Sequence, residues 1–170
     1  MRNEVTIHSG VSDNVYEMAT DEGPAHDGER TVPSPLAYFA TAMVACLMTQ
    51  LRAFSKRLDV PLNDVSLVGR YHWQGTMVGR NPYETEPIGF DLDIELDTDA
   101  PLDDQKKLID AAKKGCFIEQ TLGQSNNIGH RLKIGDDWID VEGEISISHK
   151  KTLGISARAL LINISGQISS

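Results

Sequence analysis

Alternation of apolar and polar residues predicts the β-strands of this chain. The alternation is loose over residues 3–20, where we expect one or two short strands around a turn, and a further strand is expected at residues 65–73. It is strongest over residues 88–96, where every second side chain is apolar, as in a strand with one buried face. A turn at residues 79–82 separates the last two segments, so we expect them to form an antiparallel hairpin.

The longest apolar stretch predicts a central helix. It begins after Ser34, a favourable N-cap, and Pro35, which suits the first helical position. We expect the helix to continue to about Leu58, a length of roughly 34 Å at 1.5 Å per residue. Its first half is apolar on every side, a pattern that requires neighbouring elements all around the helix.

Two further helices are predicted in the second half of the chain. Residues 101–114 place acids in the first turn and lysines in the last, as the helix dipole prefers, and Gly115 is expected to end this helix. Residues 116–122 are predicted to form a short helix closed by Gly123. Cys116 is therefore expected at a helix N-terminus.

The order of these elements, with strands before and after helices rather than in βαβ alternation, indicates an α+β fold. Residues 1–170 are expected to form a single domain, although a chain of this length often completes its burial by oligomerising. Strand and turn are expected over residues 129–147. The C-terminal segment 149–170, which includes the apolar residues 155–168, is left unassigned.

Charge and composition exclude several classes of partner. The chain has 25 acidic residues against 16 Lys and Arg, a formal charge of −9, which disfavours binding to nucleic acid and to anionic membranes. The first residues contain no apolar run of signal-peptide length, so we expect a cytoplasmic protein. The five histidines show no i, i+4 pair and no cysteine at zinc-ligand spacing. We expect no metal site and no cofactor.

The two cysteines are the candidates for chemistry. Cys116 follows a glycine break at a predicted helix N-terminus, where unsatisfied N–H groups favour the thiolate, so its context predicts activation. Cys46 lies within an apolar helix, where burial favours the neutral thiol, and it needs a cation from elsewhere in the structure. Taken alone, a cysteine in such a helix is more often a small buried hydrophobe. Two cysteines in a non-secreted chain fit a reduced or redox-cycling pair.

Three motifs occur together in the order of a known family. They are PSPL at residues 33–36, AMVAC at residues 42–46 and AAKKGC at residues 111–116. In these motifs the chain resembles the superfamily of osmotically inducible protein C (OsmC) and organic hydroperoxide resistance (Ohr) proteins, which are thiol-dependent peroxidases. The resemblance spans most of residues 1–148 and is strongest over about residues 30–125.

The resemblance implies an α+β fold in which antiparallel sheets wrap around long central helices and two subunits intertwine into a homodimer. It implies that Cys46 is oxidised by an organic hydroperoxide to a sulfenic acid, which Cys116 resolves as a disulfide. An external dithiol then reduces the disulfide, a cycle typical of the response to oxidative stress. A dry apolar pocket suits such a substrate, and its candidate walls are Leu36, Phe39, Met43 and Phe117.

One position departs from the family pattern. Peroxidase members carry a glutamate just after the proline at the helix start, where it holds an arginine against the reactive sulfur, but this chain has Leu36 and Ala37 there. Arg30 is the candidate cation, with Glu29 or Glu17 as its holder. Without a fixed cation, Cys46 loses the electrostatic stabilisation of its thiolate.

Two alternatives to a peroxidase stay open. The missing glutamate suggests a non-catalytic member that binds a small hydrophobic ligand in an apolar interfacial pocket. A structural dimer is also possible, with both cysteines serving as core. Geometry separates this last case from a redox pair, because Cα atoms more than about 7 Å apart cannot be bridged without movement of the backbone.

Overall fold

A computed structural model describes residues 1–10, 12–141 and 163–168 of the chain. Within these residues the fold combines seven strands and three α-helices, with a short 3₁₀ turn at Pro24–His26. In chain order the elements are β1 (Arg2–His8), β2 (Val15–Asp21), α1 (Pro35–Arg57), β3 (Asp64–Thr76), β4 (Glu84–Asp97), α2 (Leu102–Gly115), α3 (Phe117–Leu122), β5 (Arg131–Ile134), β6 (Asp137–Asp140) and β7 (Asn163–Ile168).

Every sheet in the described part of the chain is antiparallel. The strands β2, β1 and β7 form one sheet in that order, with Val5 opposite Met18 and Ile7 opposite Ile164. β5 and β6 form a second, two-stranded sheet. The two short strands expected near the N-terminus are therefore confirmed. Part of the unassigned C-terminal segment is strand β7, and residues 142–147 of the expected strand and turn lie outside the described residues.

The predicted hairpin of residues 65–73 and 88–96 is confirmed, and both of its strands are longer than expected. β3 and β4 pair continuously from Asp64 opposite Asp97 to Thr76 opposite Glu84, with a bulge between His72 and Trp73. One face of the hairpin packs on the core through Leu67, Leu92, Ile94 and Leu96.

The predicted central helix is confirmed as α1. Its start is set by Ser34, whose Oγ accepts a hydrogen bond of 3.3 Å from the amide of Ala37, and by Pro35 in the first turn. The residues that α1 buries recur every four positions and so form one stripe: Met43, Leu47, Leu51 and Ser55. The described residues do not enclose α1 on all sides, because the rest of the helix is half-buried or exposed among them.

The core lies where α1, α2 and β3 meet. Leu47 and Leu51 of α1 pack with Leu108 and Ala112 of α2 and with Val65 of β3. Gly115 lets α2 approach α1 closely, because a Cβ atom at this position would lie 2.7 Å from the ring of Phe54. The α+β class and its antiparallel sheets agree with the expectation from the sequence.

Candidate thiol site

Cys46 lies in the middle of α1 and is half-buried. Its position is one turn after Met43 and next to Leu47, at the edge of the stripe that α1 buries. The side chain packs against the core cluster that includes Cys116. The helix therefore turns the Cys46 thiol toward the second cysteine.

Cys116 lies at the junction of α2 and α3 and is fully buried. Its backbone is extended, with φ −80° and ψ 109°, so α2 ends at Gly115 and α3 begins at Phe117. The Cys116 sulfur accepts a hydrogen bond from the amide of Glu119 at 3.5 Å and acts as the N-cap of α3. The predicted placement at a helix N-terminus is confirmed.

The Cys116 side chain also interacts with Cys46, which packs against the same core cluster. Burial raises the pKa of Cys116 above its ordinary value of 9.0, and this effect is larger than the opposing effect of the Glu119 amide. The neighbouring Cys46 side chain raises the pKa of Cys116 further. The activation expected for Cys116 from its sequence context is therefore wrong, because desolvation outweighs the helix N-terminus.

Two cavities lie on either side of α3. The first has a volume of about 460 Å³ and is lined mainly by apolar side chains of α1, β4 and α2, together with Lys113, Glu119 and Leu122. The second, of about 470 Å³, borders Cys116 and is lined by Phe117 and by polar residues such as Gln120 and Thr121. Glu119 Oε2 is buried and has no hydrogen-bond partner among the described residues.

The four predicted pocket residues do not meet in one chain. Met43 is buried and lines the first cavity, whereas Phe117 is 73% exposed beside the second. Leu36 is exposed in the first turn of α1. Phe39 contacts Tyr71, Trp73 and Phe90 in an aromatic cluster under the hairpin.

Sequence reasoning missed Glu119, which contributes to the cap of α3 and to the wall of the first cavity. A usable signal was present in its spacing. Glu119 stands three residues after Cys116, at the position where a capping box carries its acid. Reading Cys116 as an N-cap, rather than only as a thiol, identifies Glu119 as its partner.

Arg30 and Glu29 lie in the loop before α1, and both are exposed. Arg30 has a positive φ of 58°, its amide donates to the carbonyl oxygen of Glu22 at 3.2 Å, and its guanidinium lies over Gly23. The amide of Glu29 donates to Asp21 Oδ2 at 3.3 Å. Glu17 lies on β2, opposite Thr6. No ion pair or hydrogen bond joins Arg30 to Cys46 within the part of the chain that the structure describes.

Metal-ligating side chains do not cluster in the described ranges 1–10, 12–141 and 163–168. No group of three or more His, Cys, Asp or Glu side chains is placed there to hold an ion. The chemistry available at this site is that of the two thiols and the charged groups near them.

The sequence profile of the OsmC-like protein family matches residues 26–133. The match covers more than half of the chain, so the chain belongs to the OsmC-like protein family. This confirms the resemblance inferred from the three motifs.

Solved structures support the same assignment. The chain is similar to an OsmC-like hydroperoxide resistance protein from Jannaschia sp. CCS1, with 40% sequence identity and a TM-score of 0.63 over 82% of this chain and 97% of that chain. It shares its fold with the organic hydroperoxide resistance protein OsmC of Legionella pneumophila, at 17% identity and a TM-score of 0.50 over 71% of this chain and 88% of that chain. No curated protein sequence gives a significant match.

Helix α1 is long and apolar enough to cross a membrane when judged by length and composition alone. The core helix of a soluble protein meets the same criteria. Here α1 contacts α2, α3 and β3, and its last two turns carry Lys56 and Arg57. The family fold and these contacts favour the core-helix interpretation.

Proposed function

We propose that this protein is a cysteine-based peroxidase that reduces organic hydroperoxides, with Cys46 as the peroxidatic thiol and Cys116 as the resolving thiol. The observation that carries the proposal is the packing of Cys46 against the core cluster that contains Cys116, in a member of the OsmC-like family. The similar protein from Jannaschia sp. CCS1 is named as a hydroperoxide resistance protein, which supports the same class of substrate.

The proposed reaction has two steps in the protein. The Cys46 thiolate attacks the terminal oxygen of the hydroperoxide, so that an S–O bond forms, the O–O bond breaks and the alkoxide leaves. The alkoxide takes a proton from solvent and becomes the alcohol. The Cys116 sulfur then attacks the Cys46 sulfenic acid, so that an S–S bond forms, the S–O bond breaks and hydroxide leaves with the Cys116 proton as water. An external dithiol reduces the disulfide and is itself oxidised.

The charges at the site support this division of roles. Burial and the neighbouring Cys46 both raise the pKa of Cys116, so Cys116 keeps its proton at neutral pH. The first step needs a thiolate at Cys46, and the second step needs a proton for the departing hydroxide. A protonated Cys116 beside Cys46 supplies that proton at the place where it is used.

The proposal assigns Arg30 as the cation that stabilises the Cys46 thiolate, with Glu29 as its holder. The loop that carries Arg30 leads directly into the N-terminus of α1. The φ angle of Arg30 is positive, a conformation that costs free energy for residues other than glycine. Such strain is consistent with a functional residue. Replacing Arg30 with Ala should slow oxidation of Cys46, whereas replacing the exposed Arg80 with Ala should not.

A homodimer is part of this proposal. One chain buries a single stripe of α1 and leaves Leu36 at 55%, Ile88 at 64% and Phe117 at 73% exposed. A second copy that covers these residues would complete the enclosure that the apolar helix needs. It would also bring further apolar walls to a pocket for an alkyl hydroperoxide.

The test is consumption of cumene hydroperoxide in the presence of dithiothreitol. Wild type should turn over, and Cys46→Ser should be inactive. Without dithiothreitol, Cys116→Ser should complete only the first step and accumulate a sulfenic acid that dimedone traps at Cys46. If Cys46→Ser consumes peroxide as fast as wild type, the proposed role of Cys46 is wrong.

A second function is favoured by the absence of a carboxylate at Leu36 and Ala37. In that case the protein is a non-catalytic dimer that binds a small hydrophobic ligand. Wild type would then leave cumene hydroperoxide unchanged, and Cys46→Ser would bind an apolar fluorescent probe as well as wild type does. A peroxidase predicts the opposite result in the turnover assay.

A further inference from the structure

The Cys116 sulfur has two neighbours, the Glu119 amide and the Cys46 side chain. Its interaction with the Glu119 amide differs between the thiol and the disulfide. As a thiol it caps α3 by accepting the Glu119 amide hydrogen, and Cys46 packs against the same core cluster. We propose that α3 is a redox-controlled gate, which the Cys116 thiol holds closed and which the Cys46–Cys116 disulfide loosens. This inference rests on the proposed function, because in a peroxidase the organic hydroperoxide is the oxidant that leads to the disulfide.

Helix α3 depends strongly on its cap. It has six residues, a length at which a helix has little stability of its own and relies on caps and packing. The amide of Glu119 donates to the Cys116 sulfur, so this atom satisfies one of the N–H groups that a helix start leaves free. A disulfide sulfur that turns toward Cys46 is a weaker and differently placed acceptor for this amide.

Glu119 opposes the closed position of α3. Its Oε2 atom is buried and lacks a hydrogen-bond partner in the described part of the chain. A buried carboxylate oxygen without a donor costs free energy, which is recovered when the group reaches water. The closed gate is therefore held by the cap and opposed by Glu119, and a local change at Cys116 is enough to shift the balance.

Opening of α3 would widen the two cavities on either side of it, of which the second borders Cys116. Glu119 and Leu122 form part of the wall of the first cavity, and Gln120 and Thr121 form part of the wall of the second. Cys116 is fully buried while α3 is closed. Loosening the helix after oxidation gives the external dithiol a route to the disulfide only when there is a disulfide to reduce.

The redox step can be imposed without peroxide. Diamide takes one hydrogen atom from each of the Cys46 and Cys116 thiols and becomes the corresponding hydrazine. The two sulfur atoms then share an S–S bond. An organic hydroperoxide takes up the same two electrons and gives the alcohol and water. The gate can therefore be tested separately from peroxidase activity.

Hydrogen exchange of the α3 amides, followed by mass spectrometry of the whole chain, tests the gate in four samples. These are the reduced protein, the diamide-oxidised protein, reduced Cys116→Ala, which has no cap atom, and reduced Cys116→Ser, which keeps an acceptor. Oxidised protein and Cys116→Ala should exchange about fivefold faster than reduced wild type in α3, the effect of losing a typical N-cap. Cys116→Ser should match reduced wild type, and the α2 amides around Leu108 should be unchanged in all four samples.

Three results would overturn the gate. One is equal exchange in reduced and oxidised protein, another is equal exchange in Cys116→Ala and Cys116→Ser, and the third is failure of diamide to join the two cysteines. If the gate responds to diamide but the protein consumes no hydroperoxide, the proposed peroxidase activity fails and the gate stands. If the protein consumes hydroperoxide but oxidation leaves hydrogen exchange in α3 unchanged, the gate fails and the proposed peroxidase activity stands.

Discussion

The hydroxyl of Tyr71 on β3 donates a hydrogen bond of 3.0 Å to the main-chain carbonyl oxygen of Ala40 on α1. Burial raises the pKa of Tyr71, so the hydroxyl stays protonated and remains a donor at neutral pH. The ring stacks on Trp73 and contacts Phe39 and Phe90. Tyr71 thus joins the helix that carries Cys46 to the hairpin.

Replacing Tyr71 with Phe should reduce the free energy of unfolding by about 1 kcal/mol, because it removes the hydrogen bond and keeps the ring. Urea denaturation followed by circular dichroism measures the change. Tyr71→Leu, which also removes the ring contacts with Phe39, Trp73 and Phe90, should cost more. Equal free energies of unfolding for Tyr71→Phe and wild type would show that the hydrogen bond from Tyr71 to the Ala40 carbonyl oxygen does not stabilise the fold.

Asp21 should make the fold sensitive to acid. The Thr31 amide, assisted by the Thr31 hydroxyl and the Glu29 amide, lowers the pKa of this buried carboxylate below its ordinary value of 3.8, although burial opposes the shift. A lowered pKa in the folded state gives stability above pH 3.8 that is lost as the pH falls through the folded value. Replacing Asp21 with Asn should flatten this part of the stability curve, measured as the midpoint of thermal unfolding between pH 2 and pH 6. If the unfolding midpoint of Asp21→Asn falls with decreasing pH as steeply as that of wild type, Asp21 is not the source of the acid sensitivity.

The sequence predicted most of the regular elements because their signals are local. Alternation identified the hairpin, and the Ser34-Pro35 pair identified the start of α1. The local sequence pattern did not predict the extension of β3 and β4 or the strand β7, since these depend on pairing with distant residues. Enclosure of α1 was predicted from composition, but the residues that the structure describes bury only the stripe that faces α2 and the hairpin.

The candidate site was predictable in part for the same reason. The motifs brought out Cys46 and Cys116, and the glycine break placed Cys116 at a helix start. The balance of effects on the Cys116 pKa was not predictable, because it depends on how deeply α1 and β4 bury the sulfur. The carboxylate of Glu119 was missed because its burial is a property of the assembled cavity.

Gly115 should be required for the placement of Cys116. A Cβ atom at this position would lie 2.7 Å from two ring atoms of Phe54, so in Gly115→Ala the Phe54 ring or α2 must shift, and we expect α2 to carry Cys116 away from α1. We expect diamide to form the Cys46–Cys116 disulfide at least tenfold more slowly in Gly115→Ala, roughly the rate change for a barrier increase of 1.4 kcal/mol. Gly75→Ala is the matched control, since no atom lies within 4 Å of a Cβ atom there. Equal rates for the two variants would show that α2 adapts without moving Cys116.

Cys46 should control the ionisation of Cys116. Burial is the largest cause of the raised Cys116 pKa, and the hydrogen bond and charge of Cys46 add to it. In Cys46→Ala both contributions of Cys46 are absent, so the Cys116 pKa should fall relative to wild type. NMR titration of a labelled Cys116 Cβ resonance measures the midpoint directly, and the reduced wild type is the reference.

Cys46→Ser separates the two contributions, because serine keeps a hydroxyl in the place of the thiol and carries no charge in this pH range. We expect its Cys116 midpoint to lie between those of wild type and Cys46→Ala. If all three proteins titrate Cys116 at the same pH, the thiols do not interact. The raised pKa would then come from burial alone, and Cys116 would have no special role as proton donor to the Cys46 sulfenic acid.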